Sequence, residues 1–165
     1  MKIQTAVQLA VLMTAMSHAQ AVAVTVKSYQ ATKTSNSTDA TFNKLYITGL
    51  GDGMRATNFS MFLHVQSNLH LQSEQLNAAM LFCPPPMLAL QEENFESILD
   101  IEIQRRLDQA AGDPSKVERV METPIEMVLL DGLKQTFPCS PAKIQEWAGE
   151  LVRAFEQQTP SKNKK

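Results

Sequence analysis

Cys83 and Cys139 are the only thiols in a chain of 165 residues, and the chemistry open to them is cross-linking, nucleophilic attack or metal ligation. Behind an N-terminal export signal, an even and minimal cysteine count points to a single disulfide. An oxidising compartment would consume a free thiol, which argues against a cysteine nucleophile. The histidines offer less. His18 falls within the export signal, and His64 and His70 are six apart, on different faces of a helix rather than in the i, i+4 pairing that suits a metal. Glu92, Glu93, Glu96, Asp100 and Glu102 form a run of carboxylates. An acid–base pair among them would need a pocket that the sequence does not show, so a solvated helix face is expected, with Glu92 and Glu93 favouring the dipole at its start. Neither a catalytic constellation nor a metal site is expected, and hence no enzyme.

Gly49-Leu50-Gly51-Asp52-Gly53, beside Leu45-Tyr46-Ile47, could be a phosphate-cradling loop after a strand. Its spacing is G-x-G-x-G rather than G-x-G-x-x-G, no P-loop Lys follows, and no alternation of strands and helices surrounds it. The glycines therefore read as packing positions. Gly49 and Gly53, four apart, would let a neighbouring element approach a helix closely, at a propensity cost of about 1 kcal/mol for each glycine. No cofactor is expected.

The export signal occupies residues 1–19: Lys2, a mostly apolar stretch from Ala6 to Met16, then Ser17-His18-Ala19 and Ala19-Gln20-Ala21, which place small side chains where a signal peptidase cuts. The apolar stretch falls short of the roughly 20 residues that span a bilayer. Cleavage after Ala19 or Ala21 and a periplasmic protein without membrane insertion are the expectation. Loss of Lys2 moves the formal charge from −2 to −3, which excludes a general nucleic-acid binder. Residues 20–38 are polar and lack either period, so they read as a flexible tether, and residues 158–165 as a disordered basic tail. The sequons at Asn36 and Asn58 would matter only in a eukaryotic secretory pathway.

Between these ends the apolar residues recur with helical period. The first helix carries Phe42, Leu45, Tyr46, Gly49 and Gly53 on one face, with Ser37 or Thr38 as N-cap, and the pattern can be followed on through Ala56, Phe59, Phe62 and Leu63. In the second, Phe95, Ile98, Leu99, Glu102, Ile103 and Arg106 share a face that Leu107 closes. The third starts with Thr123 as N-cap, Pro124 at the first helical position and Glu126 at the third, and buries Ile125, Val128, Leu129, Gly132, Leu133 and Phe137. A fourth opens at Ser140-Pro141 and presents Ile144, Trp147, Ala148, Leu151, Val152 and Phe155. The fold class this predicts is all-α: a small bundle of about four to five helices with one disulfide, its main domain over 39–139 and an additional helix over 140–157 packed upon it.

The ordered set Tyr46-x-x-Gly49-x-x-Asp52-Gly53, Phe82-Cys83-x-Pro85 and Phe137-Pro138-Cys139 resembles the Rap/Tai family of type VI secretion immunity proteins, over about residues 43–139. The resemblance implies a small periplasmic helical domain, often dimeric, that binds and blocks a peptidoglycan-cleaving amidase injected by a competing bacterium. It makes Cys83 and Cys139 the family disulfide and Tyr46, Gly49, Asp52 and Gly53 the packing motif of the first helix. The alternative is a housekeeping envelope protein of stress or scaffolding type, bearing the same domain without an effector partner. Met54, Met61, Met80, Met87, Met121 and Met127 could then line an adaptable contact surface.

An inhibitor of a cleft enzyme needs a stiff loop. Two connections qualify: Cys83 to Leu90, fixed by prolines, and Ala110 to Thr123, polar and anchored by Pro114 and Pro124. The first is needed to position Cys83, so the second is expected to carry the contacts, through Asp113, Lys116, Glu118 and Arg119.

Overall fold

A computed structural model describes residues 23–35, 37–69, 80–85 and 88–158. The expected export signal over residues 1–19 and residues 159–165 of the expected tail lie outside the described residues, as do Asn36, His70 and Met87. Six helices and no strand are found among the described residues: α1 (Val26–Thr32), α2 (Thr38–Leu69), α3 (Glu92–Ala110), α4 (Pro114–Met121), α5 (Ile125–Thr136) and α6 (Pro141–Gln158). The all-α bundle read from the periodicity is thus observed, with two short helices beyond the four long ones. No described helix is long and apolar enough to cross a membrane.

The first additional helix corrects the tether. Thr25 caps α1 through a reciprocal box, its Oγ1 accepting from Ser28 N at 3.3 Å while Thr25 N donates to Ser28 Oγ at 3.0 Å. Val26 and Tyr29, one turn apart, are buried in the main core. Val26 N donates to Thr123 O and Ile125 N to Val24 O, tying this segment to the start of α5. Two turns with only two inward residues leave no periodic signal, and for that reason the segment reads as a linker in sequence.

The second corrects the loop after α3. Asp113 accepts from Ser115 N at 3.1 Å and Lys116 N at 3.3 Å, and Pro114 fits the first turn, where no N–H is needed. The Ser115 hydroxyl, donating to the same carboxylate at 2.8 Å, together with these backbone bonds holds the Asp113 carboxyl below its usual range. Gly112, at φ +87°, makes the turn out of α3. The start of α5 shifts by one residue in consequence. Pro124 is its N-cap, because the Thr123 hydroxyl donates to Arg119 O at 2.7 Å and closes α4 instead.

The central element is α3, packed against α2, α4 and α5. Its expected face is the buried one: Phe95, Ile98, Leu99, Glu102 and Ile103 are all inside. It meets Ile125, Val128, Leu129 and Leu133 of α5, Ile47 of α2, and Phe82 and Leu90 from the connection. A second, smaller cluster joins Phe62, Met80, Cys83 and Ile144, with Phe59 and Cys139 against it. Ile144 places α6 on this cluster, with Ser140 Oγ accepting from Lys143 N at its start. The side chains of Trp147, Ala148, Leu151, Val152 and Phe155 lie outside the described residues.

The face expected for α2 is not its buried face. Phe42 is 58% and Leu45 67% exposed, and Gly49 and Gly53 are exposed. Asn43, Ile47, Gly51, Asn58 and Phe62 are buried instead. The apolar residues of this helix are spread around it, so polar Asn43 and Asn58 and a glycine complete the inward stripe.

Both tyrosines of the chain donate to carboxylates. Tyr29 OH meets Asp100 Oδ1 at 3.0 Å, and burial with that neighbouring charge pushes its pKa far up. Tyr46 OH donates to Glu126 Oε1, and this bond with partial burial pushes its pKa up to about 12. A raised folded pKa favours the protonated form, so this stability is complete below the unfolded value of about 10 and is lost as pH rises toward the folded value. The absorbance at 295 nm should therefore stay flat through pH 10 and rise only with alkaline unfolding. A tyrosinate step near pH 10 in the folded protein would contradict both hydrogen bonds.

Candidate functional site

The residues that carry the family resemblance fall into two groups. Cys83 and Cys139 are joined, with Cα atoms 4.9 Å apart, as the cysteine count implied. Beside the bond Cys83 N donates to Phe137 O at 2.8 Å, so Phe82-Cys83-x-Pro85 and Phe137-Pro138-Cys139 run alongside each other. Phe82 is fully buried, whereas Pro85 and Pro138 are exposed at the ends of the pair. Asn58 of α2 clamps this unit, its Nδ2 donating to Phe82 O at 2.7 Å and its Oδ1 accepting from Leu81 N at 2.8 Å. With both ends of its amide engaged and 2% exposure, Asn58 is a structural clamp rather than a glycan acceptor. Sequence reasoning saw only its sequon; a polar residue in register with Ile47 and Phe62 was the available signal.

The second group, on α2, points elsewhere. Tyr46 stacks on Phe42, rings 6.1 Å apart, and reaches α5 through Glu126. Asp52 is exposed and pairs with Arg55 at 3.6 Å. A Cβ built at Gly49 or Gly53 would meet nothing within 4 Å, which overturns the close-packing role expected for them. That role belongs to Gly51, whose Cβ would stand 2.6 Å from the Phe95 ring, and to Gly132, 2.8 Å from Ile98 Cγ2.

The carboxylate run on α3 is not one solvated face. Asp100 accepts from Tyr29 and Lys33, and Glu92 faces Lys44 at 3.8 Å. Glu102 is 2% exposed. Burial alone would raise its pKa, but hydrogen bonds and charge from Arg105 and Arg106 outweigh this and hold it below the usual carboxylate range. Arg105 grips it with two bonds, Nε at 2.7 Å and Nη2 at 2.6 Å; Arg106 Nε adds one at 2.8 Å and Gln135 Nε2 another at 3.0 Å. Arg106 Nη2 also reaches Asp131 at 2.5 Å.

The outer faces of these arginines line an open cleft of about 560 Å³ between α3 and α4, with Gln109, Ala110, Lys116, Arg119 and Val120. Two of the four expected contact residues, Lys116 and Arg119, thus come together with arginines from α3. Asp113 serves as the cap of α4, and Glu118 is exposed and does not line the cleft. Among the described residues no group of three or more His, Cys, Asp or Glu is placed to hold a metal. No protein-family model, curated protein or solved structure matches the chain.

Proposed function

We propose that this chain is a periplasmic immunity protein that binds and inhibits a peptidoglycan amidase delivered by type VI secretion, and that it has no catalytic activity of its own. The observation that supports this reading is the convergence of the two cysteine motifs. Two of the three motifs on which the family resemblance rests, their cysteines separated by 56 positions, form one disulfide-fastened unit clamped by Asn58. Both thiols are bound in it, which leaves no cysteine nucleophile. An inhibitor also needs a surface ordered before its partner arrives, since ordering on contact subtracts from affinity. The short helix α4, capped by Asp113 and pinned to α1 through Thr123, is such a surface.

The test is a pull-down of the mature protein, after removal of the signal peptide, against a panel of bacterial cell-wall amidases. Recovery of one amidase with nanomolar affinity, and loss of its activity in the complex, is the expected result. A broad panel with no partner would overturn the reading and favour an envelope protein without an effector.

A further inference from the structure

From the cleft between α3 and α4 we infer a binding site for an acidic peptide segment, one whose side-chain carboxylates are gripped by Arg105, Arg106, Lys116 and Arg119. The inference rests on the proposed function only in giving the site a partner; the chemistry of the cleft stands apart from it.

Four of the chain's 15 basic residues converge on this cleft although the chain as a whole carries a net charge of −2. Arg105 and Arg106 are fixed from behind. Glu102, buried and ionised, holds Nε and Nη2 of Arg105 and Nε of Arg106, and Asp131 holds Nη2 of Arg106. Neither Nη1 has an acceptor among the described residues. Across the cleft Lys116 and Arg119 sit one turn apart on α4. Lys116 lies 3.4 Å from Asp113, a half-exposed pairing that water screens. Arg119 has no carboxylate partner among the described residues; only its Nε is engaged, with Ser115 O at 3.4 Å.

The Nη1 groups of two guanidiniums that Glu102 and Asp131 hold in place, faced by a third guanidinium without a carboxylate partner among the described residues, present preorganised donors for carboxylates. Gln109 adds an amide that can pair with a peptide backbone, and Ala110 and Val120 give apolar ground for the methylenes of glutamate. The chain's own C-terminus is not the occupant by charge, since Lys162, Lys164 and Lys165 would be repelled.

The experiment is calorimetric titration of the mature protein at low salt with an acetylated, amidated hexapeptide of alternating glutamate and alanine, beside its glutamine counterpart and inorganic phosphate. Binding of the glutamate peptide is expected, at least tenfold weaker for the glutamine peptide, for phosphate and for the Lys116→Gln/Arg119→Gln variant. Glu118→Gln, on α4 but outside the cleft, should bind as the unchanged protein does. No binding at millimolar peptide, equal binding by the double variant, or phosphate binding as tightly as the peptide would each overturn the site. Because no amidase is involved, a failed pull-down with successful peptide binding would remove the proposed function and leave this site intact; the reverse result would do the opposite.

Discussion

Replacing Cys139 by serine is expected to lower the thermal midpoint by about 10 °C or more. The bond spans 56 positions, and in the chain-entropy description closing a loop of that length removes about 4 kcal/mol of freedom from the unfolded state. That is a large share of the 5–15 kcal/mol or so that typically separates folded from unfolded domains. The folded state loses something as well. Cys83 and Cys139 belong to the smaller cluster with Phe62, Met80 and Ile144, the cluster against which α6 begins. Without the bond this cluster keeps its apolar packing, the Asn58 clamp and the Cys83–Phe137 backbone bond, but loses its covalent tie. Circular dichroism melts of the variant, and of the unchanged protein in reductant, should show matching losses. A midpoint within about 2 °C of the oxidised protein would mean that the bond contributes little and that the unfolded chain is already compact across this loop.

The sequence made the long helices and the buried faces of α3 and α5 readable, because there the apolar residues recur at helical spacing and agree with the caps. It misplaced what depends on partners rather than on pattern. Residues 23–35 look like a polar linker since a seven-residue helix needs only Val26 and Tyr29 to dock. Residues 112–121 look like a loop for the same reason, although Asp113-Pro114 is a sound start signal for a helix. On α2 the visible apolar set, Phe42 and Leu45, faces out, while Asn43 and Asn58 face in because Thr32 Oγ1 and the backbone at Leu81 and Phe82 satisfy their amides. Such partners come from elsewhere in the chain, so no local period reports them. The cleft shows the same limit. Lys116 and Arg119 were legible as exposed polar residues, but Arg105 and Arg106 become part of one site only when Glu102 is buried and fixes them toward α4.

The glycines of α2 give the second large effect and separate the observed packing from the face that periodicity suggests. Within a helix, glycine costs about 1 kcal/mol relative to alanine through backbone entropy. At Gly49 and Gly53 an added methyl meets nothing within 4 Å, so Gly49→Ala and Gly53→Ala should each stabilise the protein by about 0.5–1 kcal/mol. At Gly51 the same methyl would stand 2.6 Å from three atoms of the Phe95 ring. That ring is fully buried between α2 and the rest of the core and has no free end to turn aside. Overpacking of this kind costs about 1–3 kcal/mol, occasionally more, and exceeds the propensity gain. Gly51→Ala should therefore be destabilised, and Gly51→Leu more severely, whereas Gly49→Leu leaves the core untouched. Urea unfolding of the set, with an unchanged slope, reads this directly: midpoints above the unchanged protein for positions 49 and 53 and below it for 51. If Gly51→Ala proved as stable as Gly49→Ala, α2 would have to present a different face to α3, and the exposed Phe42 and Leu45 would return to the core.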